Sequence, residues 1–442
     1  MPQKLKTDPS ALARPTWREY QDRLKKTATK EKFVKKTFKI SALLLMLFFM
    51  VWGIITIMGW KSFLPTSTEG SVPPHDTGLI DKKRVRALMG DDILNNLENK
   101  RFECVSGNTE FHVETSIDLA LNNFLRKKAE KSIARNIGIV CMDPHTGKIL
   151  SMVGLDKTNT SVNPCVNSRF PAASIFKIVT AAAAIEQCGF KLNSKLSFNG
   201  RKHTLYRSQL REKKNKYTNQ ITFMDSFAQS INPVFGKIGA LHLGKDRLKT
   251  YALIFGFNQA INFEVGLNPS IFSISDDPYQ WAEIASGFNH ETNITPLHGA
   301  RIASIISNYG KLVEPTIVDK IRDENGVVVY QGKPVVIRQV IDPDTAKTVG
   351  RLMEETVNTG TFRKAFRRYK KNQTLSRLDI GGKSGTIGSP SNHVRYDWFV
   401  GFAKEKEGQK QMALAVLVTH QKYIGTRAGD FARIAMEKYF GN

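Results

Sequence analysis

The longest apolar run in the chain is Ile40 to Trp60, 21 residues without a charge. That length predicts one helix able to cross the hydrocarbon core of a bilayer. Beyond it the apolar positions break into shorter sets. Pro65 to Pro74 is rich in Pro, Ser, Thr and Gly and reads as flexible linker, after which a charged stretch turns helical from Lys82 to Glu98. Ile117 to Ser132 reads as a long helix. Ile137–Met142 and Ile149–Val153 read as strands about the turn Asp143-Pro144-His145-Thr146-Gly147. The alanine-rich run Ile178–Ile185 is almost entirely apolar and predicts a buried helix that begins at Ser174. A mostly helical stretch follows to about residue 365, then strands at Leu378–Gly382, Tyr396–Ala403 and Met412–Thr419 and a closing helix Ala428–Tyr439. Strands at both ends of a helical middle predict one sheet assembled from the two ends of the domain, with a site where it meets the helical part.

Charge assigns sides to this layout. Residues 1–39 hold twelve Lys/Arg against four Asp/Glu, so the positive-inside rule puts a basic tail, 1–39, in the cytoplasm. Residues 40–60 would be the retained anchor, because the run is too long for a signal peptide and Met58-Gly59-Trp60-Lys61 offers no small-x-small cleavage site. An extracytoplasmic linker, 61–108, and one domain, 109–442, complete the expected order. The net charge of +25 would suggest nucleic acid in a cytoplasmic protein. An extracytoplasmic domain does not meet nucleic acid, so basic runs such as Arg207–Lys216 and Arg363–Lys371 are read as facing anionic lipid or wall polymer, or simply water.

The chemistry begins at Ser174-Ile175-Phe176-Lys177, where Ser174 is the only serine with a lysine three residues on. Positions i and i+3 share a helix face, so the amine lies within reach of the hydroxyl and becomes its base if burial and nearby cations keep it neutral. Taken alone the pair also fits a capped helix with a lysine on its wet face. The surrounding run Ala172–Val179 is so apolar, however, that the lysine needs a polar cleft. Ser230-Ile231-Asn232 follows 56 positions on from Ser174, with Pro233 expected to stop the preceding helix. Ser-x-Asn is weak by itself, recurring at Ser106, Ser161 and Ser197 in what read as polar turns. A further 153 positions on, Gly381-Gly382-Lys383-Ser384-Gly385-Thr386 precedes an apolar strand. It offers a close backbone approach, a cation and two hydroxyls to an anion, or else is a bulged edge strand.

In this order and spacing the three motifs resemble the penicillin-recognising serine acyltransferases, more narrowly the transpeptidase domain of penicillin-binding proteins. Val113–Asp118, Val140–Met152, Ile294–Leu297, Asn358–Thr361 and Asp397–Phe402 also look like that family, from about residue 110 to the C-terminus. The resemblance implies an α/β (α+β) fold of the β-lactamase/transpeptidase type. That fold is a five-stranded, mainly antiparallel sheet flanked by helices, with an inserted mostly helical subdomain, here preceded by the transmembrane helix. It implies that Ser174 attacks a D-alanyl-D-alanine peptide bond with Lys177 as base. Ser230 would bridge Lys177 and Lys383 and relay the proton to the leaving D-alanine. Asn232 would hold the substrate's peptide carbonyl, and Lys383, Ser384 and Thr386, with Gly385 between them, would bind the terminal carboxylate. Backbone N–H groups of Ser174 and Thr386 would form the oxyanion hole.

The implied partners are peptidoglycan stem peptides, β-lactams, the membrane and a separate glycosyltransferase, since residues 61–108 leave no room for that activity in this chain. The implied location is a bacterial cytoplasmic membrane with the catalytic domain outside. Alternatives of the same fold remain: a D,D-carboxypeptidase, or a β-lactamase whose deacylating base would be Glu264 of Glu264-Val265-Gly266-Leu267-Asn268. A non-catalytic β-lactam sensor or scaffold fits less well, because all the motifs are intact and the tail carries no effector. No cofactor is expected. No metal site is expected either, since His-Glu-x-x-His is absent and His112-Val113-Glu114 lacks a Pro-Cys-x-x-Cys partner. Cys104, Cys141, Cys165 and Cys188 would lie in an oxidising compartment, yet Cys141 sits mid-strand and Cys165 and Cys188 flank the Ser174 helix, so free thiols are expected.

Overall fold

The computed structural model of the protein describes residues 79–166, 170–389 and 394–441. The expected tail, the apolar run Ile40–Trp60 and the first part of the linker lie outside the described residues, among which no helix is long and apolar enough to cross a membrane.

The linker expected over 61–108 needs correction in its second half, which is folded structure. Helix α1, Lys82–Met89, is capped by Asp81, whose side chain accepts from the Arg84 N–H, and it buries Val85 and Met89 in the main core together with Ile93 and Leu97. Buried Lys82 ties it down, pairing with Glu314 at 2.8 Å and Glu264 at 3.7 Å and donating to the Pro315 carbonyl at 2.6 Å. Strands β1, Arg101–Ser106, and β2, Thr109–Thr115, form a hairpin across the expected boundary at 108. Their alternating pattern marks a sheet with one wet face, and β2 pairs on its other edge with a later strand, Val318–Asp323.

Helix α2, Leu119–Glu130, leads into β3, Asn136–Met142, and β4, Ile149–Asp156. Helix α3, Lys177–Cys188, opens the helical middle, which continues with α4, Phe223–Ala228, α5, Asn232–Lys237, α6, Pro278–Ser286, α7, Pro296–Ser307, and α8, Pro343–Asn358. The chain then returns to the sheet through β5, Leu378–Gly388, β6, Arg395–Glu405, and β7, Gln411–His420, and closes with α9, Ala428–Phe440. The strand order is β5-β6-β7-β3-β4 with every pair antiparallel, so the sheet is assembled from both ends of the domain.

Near-continuous apolar runs in β3 and β7 follow from burial of the sheet on both faces. Val140 and Met142 join Ala413, Ala415 and Leu417 in the core beneath α7 and α8, while Ile137, Ile139 and Cys141 join Leu414, Val416 and Val418 in the core beneath α2 and α9. Helix α7 lies close on the sheet because Gly299 faces Ala415 and Val400, where an added Cβ would sit 3.0 and 3.2 Å from their side chains. Pro233 does not stop a helix as expected. It occupies the first turn of α5, where its missing N–H has no intrahelical partner to lose.

Candidate active site

Ser174 does not open the buried helix directly. It lies in a 3₁₀ turn, Ala173–Phe176, that runs into α3 at Lys177. Residues i and i+3 eclipse in a 3₁₀ turn, so the two side chains stand over one another and Lys177 Nζ lies 2.8 Å from Ser174 Oγ. Two neighbours clamp the turn. Pro171 accepts from the Trp398 indole at 2.9 Å, and Ala172 N–H donates to Thr292 at 2.8 Å. On the other side Gly287, at φ +66° after α6, comes so close that a Cβ there would lie 1.8 Å from the Ala173 carbonyl oxygen and 2.8 Å from Ser174 N. Ala173 itself has φ 47°, a left-handed conformation that an L side chain holds only when the surroundings impose it.

The surroundings of Lys177 define what the amine can do. Its Nζ donates to Asn232 Oδ1 at 2.8 Å and to the Ser286 carbonyl. A neutral amine has two N–H groups, and these two acceptors use both, which leaves the lone pair for the Ser174 hydroxyl. Lys177 is fully buried, and burial, reinforced by Lys383, pushes its pKa well below the usual lysine range. The amine is thereby made a base at the cost of a buried, uncompensated cation when protonated.

Ser230, also in the left-handed region at φ 56°, sits between α4 and α5. Lys383 on β5 donates to its hydroxyl at 2.8 Å and to the Ser384 carbonyl at 2.9 Å. The expected bridge of Ser230 to both lysines is thus met on the Lys383 side alone, while Asn232 is the residue that joins Lys177 to this corner. Asn232 Nδ2 donates to the His203 carbonyl at 3.1 Å, which fixes the amide. Burial pushes Lys383 down to about 7. Both Nζ atoms lie 5.5 Å from the centre of a phenylalanine ring, Lys177 over Phe235 and Lys383 over Phe227, so apolar rings take the place of water beneath them.

These groups meet at a cavity of about 960 Å³, lined by Ser174, Ser230, Asn232, Ser384 and Thr386. Lys177 and Lys383 are fully buried and are not among the residues that line it; Lys383 reaches the lining through its hydrogen bond to the Ser230 hydroxyl. Gly385 keeps β5 against the serine turn, with a Cβ there 3.3 Å from the Ala172 carbonyl oxygen and 3.1 Å from Ile175. The Ser384 hydroxyl lies 2.6 Å from that of Thr361, and Thr361 N–H donates to Ala228, which joins the Asn358–Thr361 segment to α4.

Sequence reasoning missed several lining residues. Gly287 and Phe288 carry no motif, and Arg363 and Lys364, which the sequence marks only as part of a basic run, join Arg395 and Arg427 in bringing four cations to the cavity from three separate segments. Nothing in the local pattern ties those segments together. Asp397 is anchored, accepting from Ala428 N–H at 3.2 Å.

Glu264 is outside this cavity. It is fully buried and accepts from Thr316 at 2.6 Å, Tyr330 at 2.7 Å and Ile317 N–H at 3.2 Å, with Lys82 beside it, so its oxygens are committed to holding α1 in place. The four cysteines are free thiols, and burial raises Cys165 to about 12. Glu103, Glu110 and His112 gather on the exposed β1–β2 hairpin, outside the cavity, where Glu103 and His112 are cross-strand partners.

Comparison with known proteins shows the family and the fold. The penicillin binding protein transpeptidase domain model matches residues 137–437. Stage V sporulation protein D of Bacillus subtilis is 27% identical over 297 residues, covering 63% of this chain and 44% of that protein. Peptidoglycan D,D-transpeptidase PbpA of Mycolicibacterium smegmatis is 23% identical over 321 residues, covering 63% of this chain and 61% of that protein. The chain thus spans less than two thirds of the length of these relatives. Among solved structures, the D,D-transpeptidase domain of a peptidoglycan glycosyltransferase from Eggerthella lenta superimposes with TM-score 0.61 at 22% identity, over 74% of this chain and 82% of that one. Penicillin-binding protein A from M. tuberculosis, in its penicillin G acyl-enzyme complex, does so with TM-score 0.59 at 19% identity, over 74% and 80%. These two superpositions speak for the fold, and the family model for membership: the chain belongs to the penicillin binding protein transpeptidase domain family.

Proposed function

We propose that this protein is a serine D,D-transpeptidase that cross-links peptidoglycan stem peptides through an acyl-enzyme on Ser174 and is acylated there by β-lactams. The observation that carries the reading is Lys177 Nζ at 2.8 Å from Ser174 Oγ, with the amine's two N–H groups engaged by Asn232 and Ser286. In the proposed sequence neutral Lys177 takes the Ser174 proton as Oγ attacks the carbonyl of the penultimate D-alanine. The oxyanion forms against the backbone N–H groups of Ser174 and Thr386, at the positive end of the turn and helix. Collapse expels the terminal D-alanine, whose nitrogen takes the proton that Lys177 removed, with Ser230, hydrogen-bonded to Lys383, as the relay, so that Lys177 is neutral again. An acceptor amine then attacks the ester and loses a proton to Lys177, which passes it to Ser174 Oγ as the ester C–O bond breaks, and the serine is regenerated. Ser384 and Thr386 hydroxyls, with Lys383 behind them, would hold the leaving residue's carboxylate.

Anchoring is part of the proposal. The charge-free run Ile40–Trp60 behind a basic 39-residue tail supports a single-pass protein of a bacterial cytoplasmic membrane with the domain outside, beside the wall it would cross-link. A separate glycosyltransferase would then supply the glycan strand. The penicillin G acyl-enzyme of the M. tuberculosis relative supports β-lactam acylation here. A β-lactamase reading loses its base, because Glu264 is buried among Thr316, Tyr330 and Lys82 outside the cavity.

The test is purified protein with pentapeptide-bearing glycan strands, reading both D-alanine release and cross-linked dimer by mass spectrometry. Dimer formation that disappears in Ser174→Ala is expected. D-alanine release without dimer would make the enzyme a carboxypeptidase, and neither product would refute the reading.

A further inference from the structure

The segment leaving the cavity rim carries Arg363, Lys364, Arg367, Arg368, Lys370 and Lys371 with no acid among them. All six are exposed. Among the described residues none of these side chains makes an ion pair or a hydrogen bond. Such crowding raises the energy of the free protein through self-repulsion, so a sequence read only for stability would intersperse acids. Nor is the segment a loose loop. Phe362 and Phe366 are buried, each ring packed on Phe399 at 4.7 and 6.0 Å between centroids, and Tyr369 packs on Phe366 while its hydroxyl donates to Asn358 at 2.7 Å. Successive backbone bonds from Arg363 to Asn372 lock the turns. The segment presents unpaired cations to water from a fixed backbone, and its first two, Arg363 and Lys364, line the cavity that holds Ser174.

From this continuity we infer that residues 363–371 form a binding track for the anionic continuation of the acyl-donor strand. The track would take the carboxylates of stem peptides that neighbour, on the same glycan strand, the one in the cleft. The inference rests on the transpeptidase reading and specifies the form of its substrate as a polymer. A bilayer is the less fitting occupant, because the track is continuous with the mouth of a cleft that must stay open to a strand, whereas a linear polyanion entering that cleft runs along the track. A strand carrying several carboxylates is complementary in charge to this cluster of unpaired cations, which a hydrogen-bonded backbone holds at the cavity mouth.

The test compares two donors with the full protein: soluble uncross-linked glycan strands bearing pentapeptides, and a single N-acetylated pentapeptide ending in D-alanyl-D-alanine. Exposed charge pairs are individually weak, so four of them together are expected to lower KM for the strand by roughly tenfold relative to the single peptide at low salt. That advantage should shrink as salt rises. Replacing the four cations beyond the cavity, Arg367→Gln, Arg368→Gln, Lys370→Gln and Lys371→Gln together, should raise KM for the strand to that for the peptide. Peptide turnover, penicillin acylation and the urea midpoint should be unchanged. Equal KM for both donors in the wild type, or an advantage that survives both salt and the substitutions, overturns the inference while penicillin acylation still upholds the enzyme. Displacement of the strand by phosphatidylglycerol vesicles but not by poly-glutamate would overturn it in favour of a lipid surface. Failure of penicillin to acylate the wild type would instead remove the transpeptidase reading on which it rests.

Discussion

Burial of Lys383 should be readable in the stability of the whole protein. The side chain is fully buried, its hydrogen-bond partners are a hydroxyl and a carbonyl with no carboxylate, and burial takes its pKa from 10.5 to about 7. Between those values the unfolded chain holds a proton on this amine that the folded chain has released. The unfolded state therefore binds more protons, and stability rises with pH through the window and is lost again as pH falls to about 7. Each pH unit within the window is worth about 1.4 kcal/mol. Lys383→Met keeps the length and removes the titration, although the Ser230 hydroxyl then loses a partner at a pH-independent cost of about 1 kcal/mol. Urea unfolding at about pH 7 and about pH 9 should show the wild type gaining on the order of 2–3 kcal/mol relative to the variant over that interval. Lys177 acts in the same direction: removing Lys383 removes the second cause of its lowered pKa, so the native variant keeps the Lys177 proton to higher pH. Wild-type and variant stabilities that run parallel to within about 0.5 kcal/mol would refute the claim that the folded state holds this amine neutral.

Three further outcomes follow from the same geometry. Lys177→Arg keeps a cation that does not release its proton, so penicillin acylation measured by stopped flow should fall at least ~100-fold, and the wild-type rate should rise with pH as Lys177 deprotonates. Gly287→Ala places a Cβ 1.8 Å from the Ala173 carbonyl oxygen at a positive φ, so it should cost about 2–4 kcal/mol in urea unfolding and slow acylation by moving the serine turn. Glu264→Gln should lower stability by about 1–3 kcal/mol through its lost pairing with Lys82, yet leave the penicilloyl lifetime, followed by mass spectrometry, as long as in the wild type.

The parts of this protein that the sequence displays are those with local or repeated causes. Strands β3 and β7 announce themselves because both faces are buried and, between their polar end residues, the run is almost unbroken apolar. Ser174 and Lys177 are visible because the i, i+3 relation survives whether the turn is α or 3₁₀. What stayed hidden depends on distant segments meeting. The Ser286 carbonyl and Gly287 reach the serine turn from the end of α6, more than a hundred positions away, and neither residue type advertises such a contact. The resemblance suggested Ser230 between two lysines, but the fold gives Lys177 to Asn232, a choice made by the start of α5 at Asn232. That the second half of the linker packs into the domain is hidden because Lys82 looks like a surface cation in a charged stretch. Its burial follows from Glu264, Glu314 and the Pro315 carbonyl, all supplied by chain far beyond it.

The central claim is that the Ser174 hydroxyl, with Lys177 as its base, forms the acyl-enzyme. The most direct measurement is intact-protein and peptide mass spectrometry after brief exposure to penicillin, on the wild type and on Ser174→Ala. One penicilloyl adduct on the wild type, located on the peptide containing Ser174 and persisting for many minutes, with none on the variant although its urea midpoint is preserved, is the predicted result. An adduct on another residue, or one that forms equally on Ser174→Ala, would contradict the account.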